Sequence, residues 1–230
     1  MKQLKHINSE ITWAGMIPGI ILFSIIFDLH AQSEQFKNLP QYLFPDFSAS
    51  TIKMKAGKDL TLILNYNIVT GKMVFLQKEQ VFDMLNPERV DTVFIENRKF
   101  IPVSKAFYEV LIERPMSLFI EHKGSIVEPG KPAAYGGTSQ VSSSNNISSM
   151  QMNSSFYNMK LPGELTIKSD QVFWIIIKNE KHSFINERQF EKIFPGKENE
   201  IKSYIKENRL KFENPKDVKK LVQYCCGLTK

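Results

Sequence analysis

Apolar and polar positions alternate most clearly over residues 60–68, where Leu60, Leu62, Leu64, Tyr66 and Ile68 recur at period 2 with Thr61, Asn65 and Asn67 opposite. This pattern predicts a strand with one core-facing side. Shorter apolar runs follow at 73–76, 92–95, 107–112 and 118–120. Between them lie Thr70-Gly71, then Glu96-Asn97-Arg98-Lys99 topping a second hairpin and His122-Lys123-Gly124 a third. Each of these turns offers a Gly or Asn that takes positive φ at low cost. The expectation over residues 60–126 is therefore a meander of antiparallel strands.

Around that stretch the signals are more mixed. Residues 51–54 suit a short first strand, and the aromatics Phe36, Tyr42, Phe44 and Phe47 are expected to pin the preceding arm onto the sheet. Val81-Phe82-Asp83-Met84-Leu85 before Asn86-Pro87 reads as a brief excursion between hairpins. The run 107–112 is apolar on both faces, as in a strand covered on both sides. Pro115 then demands an edge position or a break before 116–121.

From Val127 the period vanishes. Glu128-Pro129-Gly130, Tyr135-Gly136-Gly137-Thr138-Ser139 and Ser142-Ser143-Ser144-Asn145-Asn146 read as a flexible Gly/Ser-rich loop at about 128–160. The glycines beside hydroxyls have neither the phosphate-loop spacing nor its Lys. Strand pattern returns at 165–167 and 172–177, with a turn at Asn179-Glu180-Lys181-His182. The period then becomes helical over 186–228. Asn186 caps a first helix carrying Phe190, Ile193 and Phe194 and closed by Pro195-Gly196. A second runs from about Glu198 to Asn208 with Ile201, Tyr204 and Ile205 on one side. The third has Asn214 as cap, Pro215 in its first turn, Val218, Leu221, Val222 and Cys225 as its apolar stripe, and Gly227 as terminator. The fold class expected is α+β: a β-rich antiparallel meander, with strong curvature allowed, and two or three C-terminal helices.

The N-terminus adds a destination. Lys2 and Lys5 precede a nearly continuous apolar stretch over 14–27, and Ala31 followed by Gln32 offers a small residue before a cleavage point. Residues 1–31 are expected to be a signal peptide and 32–230 a single β-rich domain. A retained membrane anchor is the competing reading, but Pro18-Gly19 interrupts the stretch and Asp28 stops it short of the ~20 residues a span needs. The mature chain is thus expected not to span a membrane and to be exported, to the periplasm or to an outer-membrane or extracellular site.

With 42% hydrophobic residues and 17 Phe among 230, the chain supports a substantial aromatic-rich core. The formal charge is +6. Its basic residues are dispersed, and the one dense group, Lys216-Asp217-Val218-Lys219-Lys220, suits a solvated helix face, so no nucleic-acid partner is expected. The two cysteines, Cys225 and Cys226, are adjacent, which disfavours a bridge; a thiol pair with Cys225 packed inside is expected.

Candidate chemistry is sparse. Beyond residue 31 the histidines are His122 and His182, both at predicted turns. There is no His-Glu-x-x-His, no calcium loop and no Gly-x-Ser-x-Gly, so no metal, cofactor or catalytic residue is assigned. His122 beside Glu121 is the nearest approach to a triad component.

The Ala31-Gln32 junction, Tyr66-Asn67-Ile68-Val69-Thr70-Gly71-Lys72-Met73-Val74-Phe75, Asp91-Thr92-Val93-Phe94-Ile95, Arg98-Lys99-Phe100-Ile101-Pro102-Val103, Phe107-Tyr108-Glu109-Val110 and Leu118-Phe119-Ile120-Glu121-His122-Lys123 together resemble uncharacterised exported, hairpin-rich proteins of Bacteroidota-type bacteria. The resemblance implies no activity and no site residues. The leading expectation is a non-enzymatic protein of the bacterial cell envelope acting by binding or assembly with an unknown envelope protein. A carrier holding an apolar ligand in a curved sheet is the first alternative. A hydrolase on envelope polymers, which needs converging acids or His122 with a nucleophile, is the second.

Overall fold

In the computed structural model, residues 36–127 and 166–228 are described, together with the backbone of 131–132 and 138–139. The predicted signal peptide, its Ala31–Gln32 junction and most of the predicted loop at about 128–160 lie outside the described residues. Ten strands form one antiparallel sheet: β1 (Ser48–Met54), β2 (Leu60–Asn67), β3 (Lys72–Gln77), β4 (Gln80–Asp83), β5 (Val90–Ile95), β6 (Arg98–Val103), β7 (Ala106–Ile112), β8 (Ser117–Val127), β11 (Thr166–Ile177) and β12 (Glu180–Phe184). Two short strands, β9 (Lys131–Pro132) and β10 (Thr138–Ser139), pair with each other. The order across the main sheet is β12-β11-β8-β7-β6-β5-β1-β2-β3-β4, and it does not close. The meander is as expected, except that β1 is inserted between β2 and β5.

Two expected turns and the expected excursion are placed differently. His122, Lys123 and Gly124 lie inside β8, which pairs with β11 through to Val127. The turn before β12 is the two-residue Lys178-Asn179, both at positive φ as a tight hairpin requires, so Glu180, Lys181 and His182 belong to the strand. Residues 80–83 are no excursion but a strand, β4, which pairs with β3 across Lys78-Glu79, again both at positive φ.

The sheet curls. Its concave side is filled by Ile52, Leu64, Tyr66, Met73, Val93, Ile95, Phe100 and Phe107, and a buried aliphatic or aromatic side chain of this kind contributes about 1.5–3 kcal/mol. The other side of β2–β4 is covered by the N-terminal arm, whose Phe36, Tyr42 and Phe47 pack with Val74 and Val81. Asn65 and Asn67 therefore do not face solvent. Asn65 is fully buried and holds the arm: its Oδ1 accepts from the Phe44 amide at 3.2 Å, and its Nδ2 donates to the Phe44 carbonyl at 2.9 Å. Alternation identifies two faces of a strand; it does not say what covers the second.

The curl is fastened at one place. β7 and β8 pair from Glu109↔Ile120 onward, but the ladder does not reach Phe107 and His122. The turn between β2 and β3 sits in the resulting fork. The Gly124 amide donates to the Ile68 carbonyl at 2.7 Å, and the Phe107 amide to the Gly71 carbonyl at 2.9 Å. Tyr66 Oη donates to the Phe107 carbonyl at 3.0 Å and lies 3.4 Å from that of His122. Backbone groups that a splayed ladder would leave unpaired are satisfied by the turn.

The helices α1 (Glu187–Glu191), α2 (Glu198–Asn208) and α3 (Pro215–Leu228) cover the other end of β8 with β11 and β12. Phe190, Phe194, Ile201, Ile205, Val218, Leu221, Val222 and Cys225 pack on Leu118, Ile120, Phe173, Ile175 and Phe184. The caps follow the sequence: Asn186 Oδ1 accepts from the Gln189 amide, and Gln189 Oε1 from the Ile185 amide. Gly227 does not end α3. The helix continues to Leu228, with Gly227 exposed in its last turn.

Candidate functional site

The β6–β7 hairpin sets Phe100 opposite Glu109, and the β7–β8 pairing sets Glu109 opposite Ile120. Arg98 lies two residues before Phe100 and His122 two beyond Ile120, so the pleat brings both to the concave face beside Glu109. Arg98 Nε donates to Glu109 Oε1 at 2.7 Å and Arg98 NH2 to Oε2 at 2.5 Å. His122 Nε2 is 2.7 Å from the same Oε2 and 3.0 Å from Arg98 NH2. The Arg98 guanidinium lies 4.9 Å from the centroid of the Phe44 ring, so the arm roofs the cluster.

At 2.7 Å from a carboxylate oxygen, Nε2 is the nitrogen that carries the hydrogen, because a lone pair there would face a negative charge. Nδ1 is then the acceptor, and it is buried without a hydrogen-bond partner among the described residues. Burial pushes the Glu109 carboxyl up, but hydrogen bonds from His122 and Arg98 outweigh it and hold it down at about 2. For His122 burial is again the largest influence. It pushes the imidazole below its ordinary value with the Arg98 charge, against the pull of Glu109. The Tyr66 phenol, edge-on to the imidazole at 5.9 Å, is pushed well up by burial.

Its two inner members are buried, with His122 2% exposed, whereas the Arg98 side chain reaches solvent and is 31% exposed; no hydroxyl or thiol meets His122 Nδ1 among the described residues. The expected neighbour, Glu121, points to the opposite face of β8, where its Oε2 accepts from Trp174 Nε1 at 2.9 Å and its Oε1 is 3.2 Å from Lys123 Nζ. Trp174 in turn stacks on Tyr108, with Lys181 Nζ 4.0 Å from the indole centroid. His182 lies apart on β12, 3.6 Å from Glu180. Motif reading misses Arg98 and Glu109, although counting back from the Ser104-Lys105 turn places them diagonally on one face.

A second feature lies at the mouth of the curl. Residues 84–89 leave edge strand β4 and cross the concave side to reach β5, tied at one end by the Met84 amide to the Met73 carbonyl and at the other by the Lys55 amide to the Arg89 carbonyl. Beneath this strap is a groove of about 200 Å³ whose lining includes Ile52, Leu60, Leu62, Phe75, Met84 and Leu85. Leu85 is 77% exposed, Leu60 46% and the neighbouring Phe82 41%. A cavity of about 150 Å³ accepts a benzene ring, so the groove suits one or two side chains or the end of an aliphatic chain.

Cys225 is buried and Cys226 partly exposed, both as thiols, and burial pushes the Cys225 thiol up to about 12. Among the described residues no group of three or more His, Cys, Asp or Glu side chains is placed to hold a metal ion, and no helix is long and apolar enough to cross a membrane. No protein-family model, no curated protein and no solved structure matches the chain.

Proposed function

We propose that the chain is an exported protein of the bacterial envelope that acts by binding or assembly rather than by catalysis. The observation that carries the binding half is the mouth of the curl, where Leu85, Leu60 and Phe82 stay exposed around an apolar groove beside edge strand β4. Exposed apolar side chains gathered in one place mark an interaction surface far more often than scattered ones do. Export rests on the basic, apolar and small-residue sequence of residues 1–32. The buried His122 imidazole, paired with Glu109 and 2% exposed, supports a non-catalytic reading.

The test is purification of the native protein from its envelope fraction, with native mass spectrometry and hydrogen exchange. A bound component that protects residues 60–62 and 84–89, and that is lost in Leu85→Asp, supports the reading. Normal partner binding by Leu85→Asp removes it. The carrier alternative is favoured by the apolar lining of the same groove; lipid extraction yielding a stoichiometric apolar ligand would select it over protein assembly.

A further inference from the structure

We propose that the turn between β2 and β3 is an acid-released latch: seated in the fork of β7 and β8, it holds the curled sheet shut while His122 is neutral and lets go when His122 takes up a proton. The fork depends on that turn for its backbone partners. Gly124 and Phe107 donate into the Ile68 and Gly71 carbonyls, and Tyr66 Oη reaches back to the Phe107 and His122 carbonyls. His122 is thus at once a strand residue of the fork and a member of the buried charged cluster beneath it.

The charge balance supplies the switch. Arg98 from β6 and Glu109 from β7 cancel, so the cluster is neutral only while His122 is neutral. A proton added at Nδ1 puts a net positive charge on a buried ring whose Nε2 already lies 3.0 Å from the Arg98 guanidinium, on an atom that makes no hydrogen bond among the described residues. The other groups packed around the ring supply no counter-charge. β2 presents the Tyr66 phenol, β11 places the uncharged Gln171 opposite His122, and Glu121 and Lys123 lie on the far face of β8. Glu109 alone favours the charged form, and its Oε2 already accepts from Arg98. Burial is the larger influence, so the latched imidazole titrates below its ordinary value.

A group whose folded value is depressed binds fewer protons latched than released. The latch is therefore at full strength above about pH 6.5, the ordinary histidine value, and weakens as pH falls below it. Release is local, because the opposite end of β8 remains packed under the helices through Leu118 and Ile120. It uncovers Tyr66, Phe100 and Phe107, all at most 1% exposed when latched.

Hydrogen exchange of the full chain at pH 7.5 and pH 5.0, with times scaled for the intrinsic pH dependence of exchange, tests this directly. Residues 66–72, 106–108 and 122–125 should exchange several-fold faster at pH 5.0 than at pH 7.5, while 218–225 of α3 stays unchanged. His182→Gln should keep the difference and His122→Gln should abolish it. Equal protection at both pH values, an equal loss in α3, or a difference that survives His122→Gln overturns the proposal. Imidazole NMR of the unmodified chain decides the matter if His122→Gln does not fold. A neutral Nε2–H ring at pH 6.5 that titrates in step with the exchange supports the latch, and an imidazolium at that pH sinks it.

Discussion

The Gly124 amide donates to the Ile68 carbonyl at 2.7 Å, and a Cβ on Gly124 would stand 2.8 Å from Ile68 Cγ1 and 3.1 Å from Val69 Cγ2. The glycine is there for close approach of the turn. Gly124→Ala must displace the Ile68 and Val69 side chains of the turn, and overpacking of this kind costs about 1–3 kcal/mol. Urea unfolding should show a lower midpoint with an unchanged slope; an unchanged midpoint would mean the turn is not pressed against the strand.

Gly227 gives the opposite sign. It lies exposed in the last turn of α3, with no positive φ and nothing within 4 Å of where a Cβ would stand. Gly227→Ala removes backbone freedom from the unfolded chain without strain, so it should stabilise by about 0.5–1 kcal/mol. Thermal unfolding of the variant checks this, and a destabilisation would place Gly227 outside helical geometry.

These two glycines also show how far the sequence is legible. Periodicity and turn residues locate the meander and the three helices of residues 187–228, because hairpins and caps are local and their signals sit within a few residues. Gly124 and Gly227 both read as chain breakers, and neither is one. The reason for Gly124 lies in Ile68 and Val69, more than fifty residues earlier, and Gly227 is simply tolerated near a helix end. Burial of Asn65 depends likewise on the arm at Phe44, which alternation along β2 cannot reveal. The Arg98–Glu109 pair is within reach of hairpin counting. Adding His122 requires the β7–β8 register, which shifts between Val110 and Ile112 and so defeats simple counting.

The cysteines should separate chemically despite being neighbours. Cys225 is fully buried in the helical core with its thiol pushed up to about 12, while Cys226 is partly exposed. Since the thiolate is the reactive form, alkylation of the native protein at pH 7.5 should modify Cys226 alone, and Cys225 only after denaturant is added. Two equally fast thiols in the native state would show that α3 does not pack as described.

Glu109 fixes the acid limb of stability. Its carboxyl falls from an ordinary 4.5 to about 2 because hydrogen bonds from His122 and Arg98 overcome its burial. The unfolded chain therefore binds the proton more readily between those values, so the contribution is complete above about pH 4.5 and is lost as pH falls through about 2. A depression of this size corresponds to roughly 3 kcal/mol. Removing the partner instead of the charge should also destabilise at neutral pH. Arg98→Met leaves the buried carboxylate with His122 as its remaining partner, and because the Arg98 side chain is 31% exposed the loss should fall below the ~3–5 kcal/mol of a fully buried pair. Urea unfolding at pH 5.5, 4.0 and 2.5 separates the two effects, because carboxylates elsewhere cancel between unmodified protein and variant. The gap between unmodified protein and Glu109→Gln should narrow steadily as pH falls, and a gap constant across that range would mean that Glu109 is not held ionised by the cluster.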